Sequence, residues 1–312
     1  MATLTQVIGI DLGGTAIKLG LFDVSGTCLK SLTVPTPQPS IPKSVIEVML
    51  NAISQLEPEK KAMTQSGSRG ASAIGIGMPG PADLQGRLAK ISINLDGWVD
   101  VPLADVIESH TGKPTAIAND ANCAGLGEAW LGAGRQFQNL FLLTLGTGVG
   151  GAIILDGKLF TGHQGAAGEL GLMTLYPNGP LCNSGNYGSL EQYLCINAII
   201  RRTGKTPLEL WELADKGDRA ALNFWQEYGR DLGIGLTSLI YVLAPQAIII
   251  GGGISASAKF FVPSAKAEVE KRVMPTSRPN LKILPAQLGN SAGMLGAAKL
   301  AIALLKKQAG KY

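Results

Sequence analysis

Apolar residues in this chain fall into short dense runs broken by glycine, alternating with longer stretches whose apolar spacing is helical. Val7–Asp11, Ile17–Phe22 and Leu29–Val34 read as three successive strands, the first two joined by a tight turn at Gly13-Gly14. Pro35–Pro42 holds four prolines and connects to an amphipathic helix over Lys43–Leu56. Glu57–Gly70 is polar and reads as a surface loop. A buried-type strand at Ala73–Gly77 runs into Met78-Pro79-Gly80-Pro81, followed by a helix over Pro102–Thr111, a short strand at Thr115–Ala118 and a helix over Ala121–Leu131.

From Leu140 the pattern begins again, with a strand at Leu140–Leu145, a glycine turn, a strand at Ala152–Leu155 and a turn at Asp156-Gly157. Helices follow over Leu190–Arg202, Pro207–Asp215 and Ala220–Leu243. Ala247–Ile250 is a strand ending in Gly251-Gly252-Gly253, Ala256–Val273 a helix, Leu281–Leu284 a strand and Met294–Lys307 the closing helix. Interleaved strands and helices in both halves predict an α/β protein of two similar lobes, and a cleft between such lobes is the usual place for a small-molecule site.

Length agrees with two domains, since 312 residues exceed what one core usually organises. The balance of 46% hydrophobic to 16% charged residues is that of a globular chain. A net charge of +4 without a dense Lys/Arg cluster gives no footprint for nucleic acid. No run of 18 apolar residues predicts a membrane span, and Cys28, Cys123, Cys182 and Cys195 lack a framework spacing, which fits a reducing cytoplasm. A strand beginning near residue 7 leaves no room ahead of it for a signal peptide or a DNA-reading helix pair.

Two glycine–threonine turns, each after an apolar strand, are the main chemical signal: Asp11-Leu12-Gly13-Gly14-Thr15 and Gly146-Thr147-Gly148. Glycines let backbone N–H groups approach an anion closely, and a Thr hydroxyl adds a donor without bulk. Asp11 adds an acid where a phosphate-bound Mg²⁺ needs an oxygen ligand. Gly75–Gly80 and Gly146–Gly151 both match G-x-G-x-x-G, yet Pro79 interrupts the first and a strand follows the second, so a Rossmann site is rejected. Asn119-Asp120 follows a short strand. A carboxylate beside an amide there suits deprotonation of an alcohol, and it equally suits Asp120 as a helix N-cap. Asn94, Glu169 and Glu191 lie in glycine-rich segments and can bind sugar hydroxyls. They read equally as ordinary loop residues, or for Glu191 as a first-turn helix acid.

In order along the chain, Asp11-Leu12-Gly13-Gly14-Thr15, Pro79-Gly80, Asn94-Leu95-Asp96-Gly97-Trp98, Asn119-Asp120, Gly146-Thr147-Gly148, Gly168-Glu169-Leu170-Gly171 and Gly251-Gly252-Gly253 resemble the ROK family of sugar kinases and repressors. The resemblance is nearest to its glucokinase-like members. It implies the actin-like ATPase (ribonuclease H-like) fold with an interlobe cleft, one lobe of residues 1–119 plus 294–312 and another of 120–293. It implies ATP with Mg²⁺, a sugar substrate, a cytoplasmic homodimer, and neither a nucleic-acid nor a membrane partner. It assigns Asp11 to the Mg²⁺–phosphate region, Gly13, Gly14, Thr15, Gly146, Thr147 and Gly148 to the phosphates, and Gly251 and Gly252 to the adenosine. Gly80, Asn94, Asn119, Glu169 and Glu191 fall to the sugar, and Asp120 becomes the catalytic base.

One departure stands out. The family's structural zinc uses a His and three Cys, and the matching positions here are Leu172, Cys182, Ser184 and Ser189. A single thiolate does not hold tetrahedral zinc, so no zinc is expected, and packing of Tyr187 and Leu172 is expected to order the loop instead. The lost His also removes a sugar contact, which leaves N-acetylmannosamine, mannose or fructose as alternative substrates to glucose. Polyphosphate remains an alternative donor, and a sugar-binding regulator without catalysis is the reading from another functional class.

Overall fold

The computed structural model describes residues 5–57, 70–92 and 94–310, so most of the expected loop over Glu57–Gly70 lies outside the described residues. The chain divides into two compact units. One comprises Met1–Gly132, Thr161–Ala167 and Asn290–Tyr312, the other Ala133–Phe160 and Gly168–Gly289.

The first unit contains β1 (Gln6–Leu12), β2 (Ala16–Asp23), β3 (Cys28–Pro35), α1 (Pro42–Leu56), β4 (Ile74–Met78), β5 (Ala89–Ile91), β6 (Val99–Val101), α2 (Leu103–Thr111), β7 (Thr115–Asn119), α3 (Asp120–Leu131) and the closing helix α9 (Ala292–Gln308). Its sheet has the order β3-β2-β1-β4-β7. β2 runs antiparallel to β1 and β3, whereas β1, β4 and β7 are parallel. The near-continuous apolar runs of β1 and β4 suit central strands covered on both faces. Ile10 and Ile76 share a core with Met49 and Ile53 of α1 and Leu103 and Ile107 of α2.

The glycines of β1 and β4 have a separate role. A Cβ on Gly75 would come within 1.8 Å of the Ala297 carbonyl oxygen, and one on Gly9 within 2.1 Å of the Met294 oxygen. Helix α9 therefore lies on these strands at a distance only glycine permits. Gly75, which opened one of the rejected dinucleotide fingerprints, is a packing residue. A Cβ on Gly296 of α9 would likewise meet the Cys123 carbonyl of α3 at 1.6 Å. That close packing keeps α3 with the first unit, whereas the sequence reading placed residues 120–131 in the second lobe.

The second unit repeats the sheet. β8 (Leu140–Leu145), β9 (Val149–Leu155), β10 (Lys158–Leu159), β11 (Ala247–Gly251) and β12 (Lys282–Pro285) take the order β10-β9-β8-β11-β12 with the same pattern of directions. Helices α4 (Glu191–Leu194), α5 (Ile196–Thr203), α6 (Pro207–Asp215), α7 (Arg219–Leu243) and α8 (Ala258–Arg272) complete it. Phe141, Ile250, Trp225, Tyr228 and Phe261 form the heart of its core. Helix α6 opens on a capping box, Thr206 with Glu209, and has Pro207 in its first turn. Asp156 and Gly157, at φ 51° and 71°, make the expected tight turn between β9 and β10.

Several elements differ from expectation. The helix expected over Leu190–Arg202 is broken at Cys195, which is extended (φ −83°, ψ 167°) and whose sulfur accepts from the Ala198 amide at 3.4 Å. The break frees the Ile196 amide to donate to the Gly146 carbonyl at 2.9 Å. β9 begins at Val149 rather than Ala152, because Gly150 and Gly151 still pair with Thr144 and Leu143. The hairpin β5–β6 and the two-residue β10 are too short for any apolar period to reveal. Among the described residues, no helix is long and apolar enough to cross a membrane.

Candidate active site

Ligands of open α/β sheets gather at the carboxyl ends of parallel strands; Asp11, Gly80, Asn119, Asp120, Gly146 and Gly251 lie at or just past such ends, whereas Asn94, Glu169 and Glu191 lie in loops and at a helix start. In the first unit, Asp11 is the penultimate residue of β1, and its Cα partner across the hairpin is Lys18. The Lys18 ammonium stands 3.7 Å from Asp11 Oδ2. Burial raises the Asp11 pKa, and Lys18 draws it back. A Cβ on Gly293, in the first turn of α9, would meet Asp11 Cγ at 2.7 Å, so this acid abuts the helix end that favours negative charge.

The turn after β1 is tied from outside. The Thr36 hydroxyl donates to the Gly13 carbonyl at 2.6 Å, and the Thr36 amide to the Thr15 carbonyl at 3.0 Å. The Asn94 carbonyl oxygen lies 3.4 Å from where a Gly14 Cβ would stand. Its loop is fixed two residues on, where Asp96 accepts from the Ser40 amide at 2.8 Å and hydroxyl at 2.9 Å. Gly80, at φ +87°, needs glycine twice over, because a Cβ there would also lie 1.9 Å from the Ile91 carbonyl oxygen.

Asn119, rather than Asp120, is the N-cap of α3. Its side-chain oxygen accepts from the Ala121 and Asn122 amides at 2.9 and 3.2 Å, and its Nδ2 donates to the Gly80 carbonyl at 3.3 Å. Asp120 occupies the first helical position, is exposed, and accepts from the Ala121 amide at 2.8 Å. Cys123, one turn later, is pushed well up by burial and then by the Asp11 and Asp120 charges.

In the second unit, Gly146, Thr147 and Gly148 form the turn between β8 and β9, closed by the Gly146 amide on the Gly148 carbonyl at 3.0 Å. Gly252, at φ +82°, packs directly against its base, since a Cβ there would sit 2.3 Å from the Leu145 carbonyl oxygen. Gly251 pairs with Thr144 on β8. The segment Gly168–Gly171 lies along the start of β9, where a Cβ on Gly171 would meet the Val149 oxygen at 2.0 Å. Glu191, first residue of α4, accepts from the Val149 amide at 2.9 Å. Glu169 is exposed, yet partial desolvation and then the nearby Glu191 charge raise its pKa.

Residues 7–304 match the ROK family. The chain belongs to the ROK family. It is 33% identical to the glucokinase of Thermotoga maritima over 315 residues, 95% of this chain and 96% of that one. With the crystal structure of a ROK family glucokinase from Streptomyces griseus in complex with glucose and AMPPNP it shares a TM-score of 0.78 and 32% identity, over 96% of this chain and 99% of that one. It is also 31% identical to the xylose repressor of Bacillus spizizenii, covering 95% of this chain and 76% of the repressor. The two repeated sheets are those of the actin-like ATPase fold of ROK sugar kinases.

The donor set at this ROK protein's zinc-motif positions does not fit the metal. Leu172 offers hydrocarbon and Ser184 and Ser189 offer neutral hydroxyls beside one thiol. Among the described residues, no group of three or more His, Cys, Asp or Glu side chains is placed to hold a metal ion. Burial pushes the Cys182 thiol up, and the neighbouring polar groups of Ser184 and Ser189 outweigh it and bring the thiol below its ordinary range. The expected ordering by Tyr187 packing fails, because Tyr187 is 55% exposed. Asn186 instead bonds across the loop: its Nδ2 donates to the Leu172 carbonyl at 2.9 Å.

Sequence reasoning passed over Lys18, Gly293 and Asn186. Lys18 was missed because the turn is centred one residue later than expected: a two-residue turn at Gly13-Gly14 would set Asp11 opposite Ala16, whereas the Gly13 amide donates to the Ala16 carbonyl and Asp11 pairs with Lys18. Gly293 and Asn186 act through contacts distant in sequence that no local pattern announces.

Proposed function

We propose that this ROK protein is an ATP-dependent hexose kinase that phosphorylates the 6-hydroxyl of glucose, with Asp120 as general base. Asp120 carries the proposal: an exposed carboxylate at the carboxyl edge of the sheet, held on the first turn of α3 by the Asn119 cap. In a loose phosphoryl transfer the alcohol proton leaves late, so such a base mainly orients the hydroxyl and then accepts its proton. The full-length similarity to glucokinases supports the reaction class.

Glucose hydroxyls fall to Asn119, Glu169 and Glu191, with Gly80 and Asn94 shaping the sugar side. Asn119 keeps one amide hydrogen beyond the one it spends on Gly80. Glu191 spends one oxygen on the Val149 amide, which leaves the other for a sugar hydroxyl. The turns Gly13–Thr15 and Gly146–Gly148 receive the phosphates, through the amides of Gly14, Thr15, Thr147 and Gly148, since those of Gly13 and Gly146 are spent on the Ala16 and Gly148 carbonyls; Gly251 and Gly252 receive the adenosine. A half-buried acid with a single lysine nearby is short of positive charge, so Asp11 fits as an outer ligand of Mg²⁺. When bound, that ion neutralises charge on the transferring phosphates.

ADP release measured with glucose, mannose, fructose and N-acetylmannosamine, each with Mg²⁺-ATP, tests the reading. Glucose is expected to give the highest kcat/KM; a tenfold preference for another sugar would reassign the substrate. The similarity to a xylose repressor motivates the rival, a sugar-binding regulator. Sugar binding by calorimetry with no turnover of any of the four sugars would favour it. A homodimer is the expected assembly, and light scattering of the eluted protein measures it.

A further inference from the structure

The stretch from Glu169 to Glu191 carries two acids at its ends and folds back on itself, and the residues at its zinc-motif positions do not fit that metal. Its backbone is laced by the Leu190 amide on the Met173 carbonyl and the Leu175 amide on the Gly188 carbonyl, each at 2.8 Å. Thr174 and Ser189 form an isolated bridge between the two arms. Backbone pairs of this kind set the register of the arms, and the Leu181–Tyr187 bridge adds a third. One side chain adds to them.

The Asn186 amide group is spent on both arms. Its Nδ2 donates to the Leu172 carbonyl at 2.9 Å and to Thr174 Oγ1 at 3.0 Å, while its Oδ1 accepts from the Tyr187 amide at 2.8 Å. Leu172 is thereby held on both sides of its residue, because its own amide donates to the Glu169 carbonyl at 3.1 Å. A continuous path of hydrogen bonds runs from Glu169 through Leu172 to Asn186. The other arm leads from Asn186 through Ser189 and Leu190 to Glu191. Cys182, 3% exposed, lies beneath this closure, and its amide donates to the Asn186 carbonyl at 2.7 Å.

We propose that the Asn186 side chain, clasping Leu172 and Thr174, is the positioning residue that holds the Glu169 and Glu191 carboxylates in place without a metal. Three of the four motif ligands are absent, and one amide satisfies donors and acceptors on both arms. An amide is suited to this because it donates and accepts at once, whereas a carboxylate in the same volume only accepts. The effect on sugar rests on the kinase reading; the ordering of the loop does not.

The test labels native full-length protein with a thiol reagent and follows each cysteine by peptide mass spectrometry. Cys28 is exposed and labels first, while Cys123, Cys182 and Cys195 are buried. In Asn186→Ala the labelling rate of Cys182 is expected to rise at least about tenfold, with Cys123 and Cys195 still protected, which shows the fold intact. Asn186→Asp, isosteric but without the donor to Leu172, is expected to match Asn186→Ala; wild-type labelling in Asn186→Asp would overturn the clasp. A chelator that accelerated Cys182 labelling in the wild type would also overturn it, by showing that a metal holds the loop. In the same variants the sugar KM is expected to rise about fivefold or more, with kcat and the ATP KM within about twofold. Faster Cys182 labelling with an unchanged sugar KM would uphold the clasp and count against Glu169 and Glu191 as sugar ligands. Unchanged labelling overturns the clasp whatever the sugar assay shows.

Discussion

Glu191 and Val149 are joined by a hydrogen bond of 2.9 Å from the Val149 amide to the Glu191 carboxylate. Val149 is the first residue after the glycine–threonine turn, and Glu191 is the first residue of α4. A carboxylate proposed for sugar thus also braces the turn proposed for phosphate. The break at Cys195 adds a second brace, since it delivers the Ile196 amide to the Gly146 carbonyl.

Gly148 is the position most sensitive to that coupling. A Cβ there would come within 2.7 Å of the Glu191 carboxylate, which can move only by giving up the Val149 amide. Gly148→Ala is expected to leave the unfolding midpoint almost unchanged and to raise the sugar KM by about tenfold, about 1.4 kcal/mol. Steady-state kinetics against sugar at saturating ATP provides the measurement.

Gly146 offers the contrasting case. No heavy atom lies within 4 Å of the position its Cβ would take, and its φ is ordinary, so the fold tolerates Ala. Its amide closes the turn on the Gly148 carbonyl, and a methyl group on a turn proposed to receive a phosphate would nonetheless weaken nucleotide binding. Gly146→Ala is expected to raise the ATP KM while leaving the sugar KM unchanged; equal effects on both would argue against the phosphate role.

Lys18 offsets the cost of burying Asp11. Replacing it with Met leaves that acid without its cation, so desolvation acts unopposed and the Asp11 pKa climbs further. The acid limb of the pH profile of kcat/KM is therefore expected to move to higher pH in Lys18→Met. An unmoved acid limb would remove Asp11 ionisation from the activity.

Glu169 and Glu191 repel one another. The raised pKa of Glu169 means that the folded protein holds its proton more tightly than the unfolded chain does. The associated stability is fully present below the ordinary carboxylate range and is lost as pH rises through the raised value. Glu169→Gln removes this loss, so the variant is expected to be the more stable of the two at neutral pH and to lose that advantage in acid. Urea unfolding at two pH values checks the sign, and a weaker sugar affinity is expected to accompany the gain.

How far the sequence disclosed these features depends on their range. The central strands were legible because Val7–Asp11 and Leu140–Leu145 are dense apolar runs bounded by glycine, and their repetition announced a doubled fold. The glycine turns and Asn119-Asp120 were legible for the same local reason. What stayed hidden depends on contacts across the chain. Nothing near Gly75 says that it must admit the Ala297 carbonyl, and nothing near Cys195 says that the helix breaks there to serve Gly146. The choice of Asn119 over Asp120 as helix cap was a contest between adjacent residues of similar capping strength. It was decided by the extended backbone of Asn119 (ψ 148°), which aims its oxygen at the first free amides of α3.

Asp120→Asn keeps the size of the side chain and its place on α3 while removing its capacity to take a proton. Turnover of glucose with Mg²⁺-ATP, measured beside glucose binding by calorimetry, tests the proposed chemistry most directly. A fall in kcat of at least about 100-fold with glucose still bound is the expected result; a kcat within twofold of the wild type would contradict it.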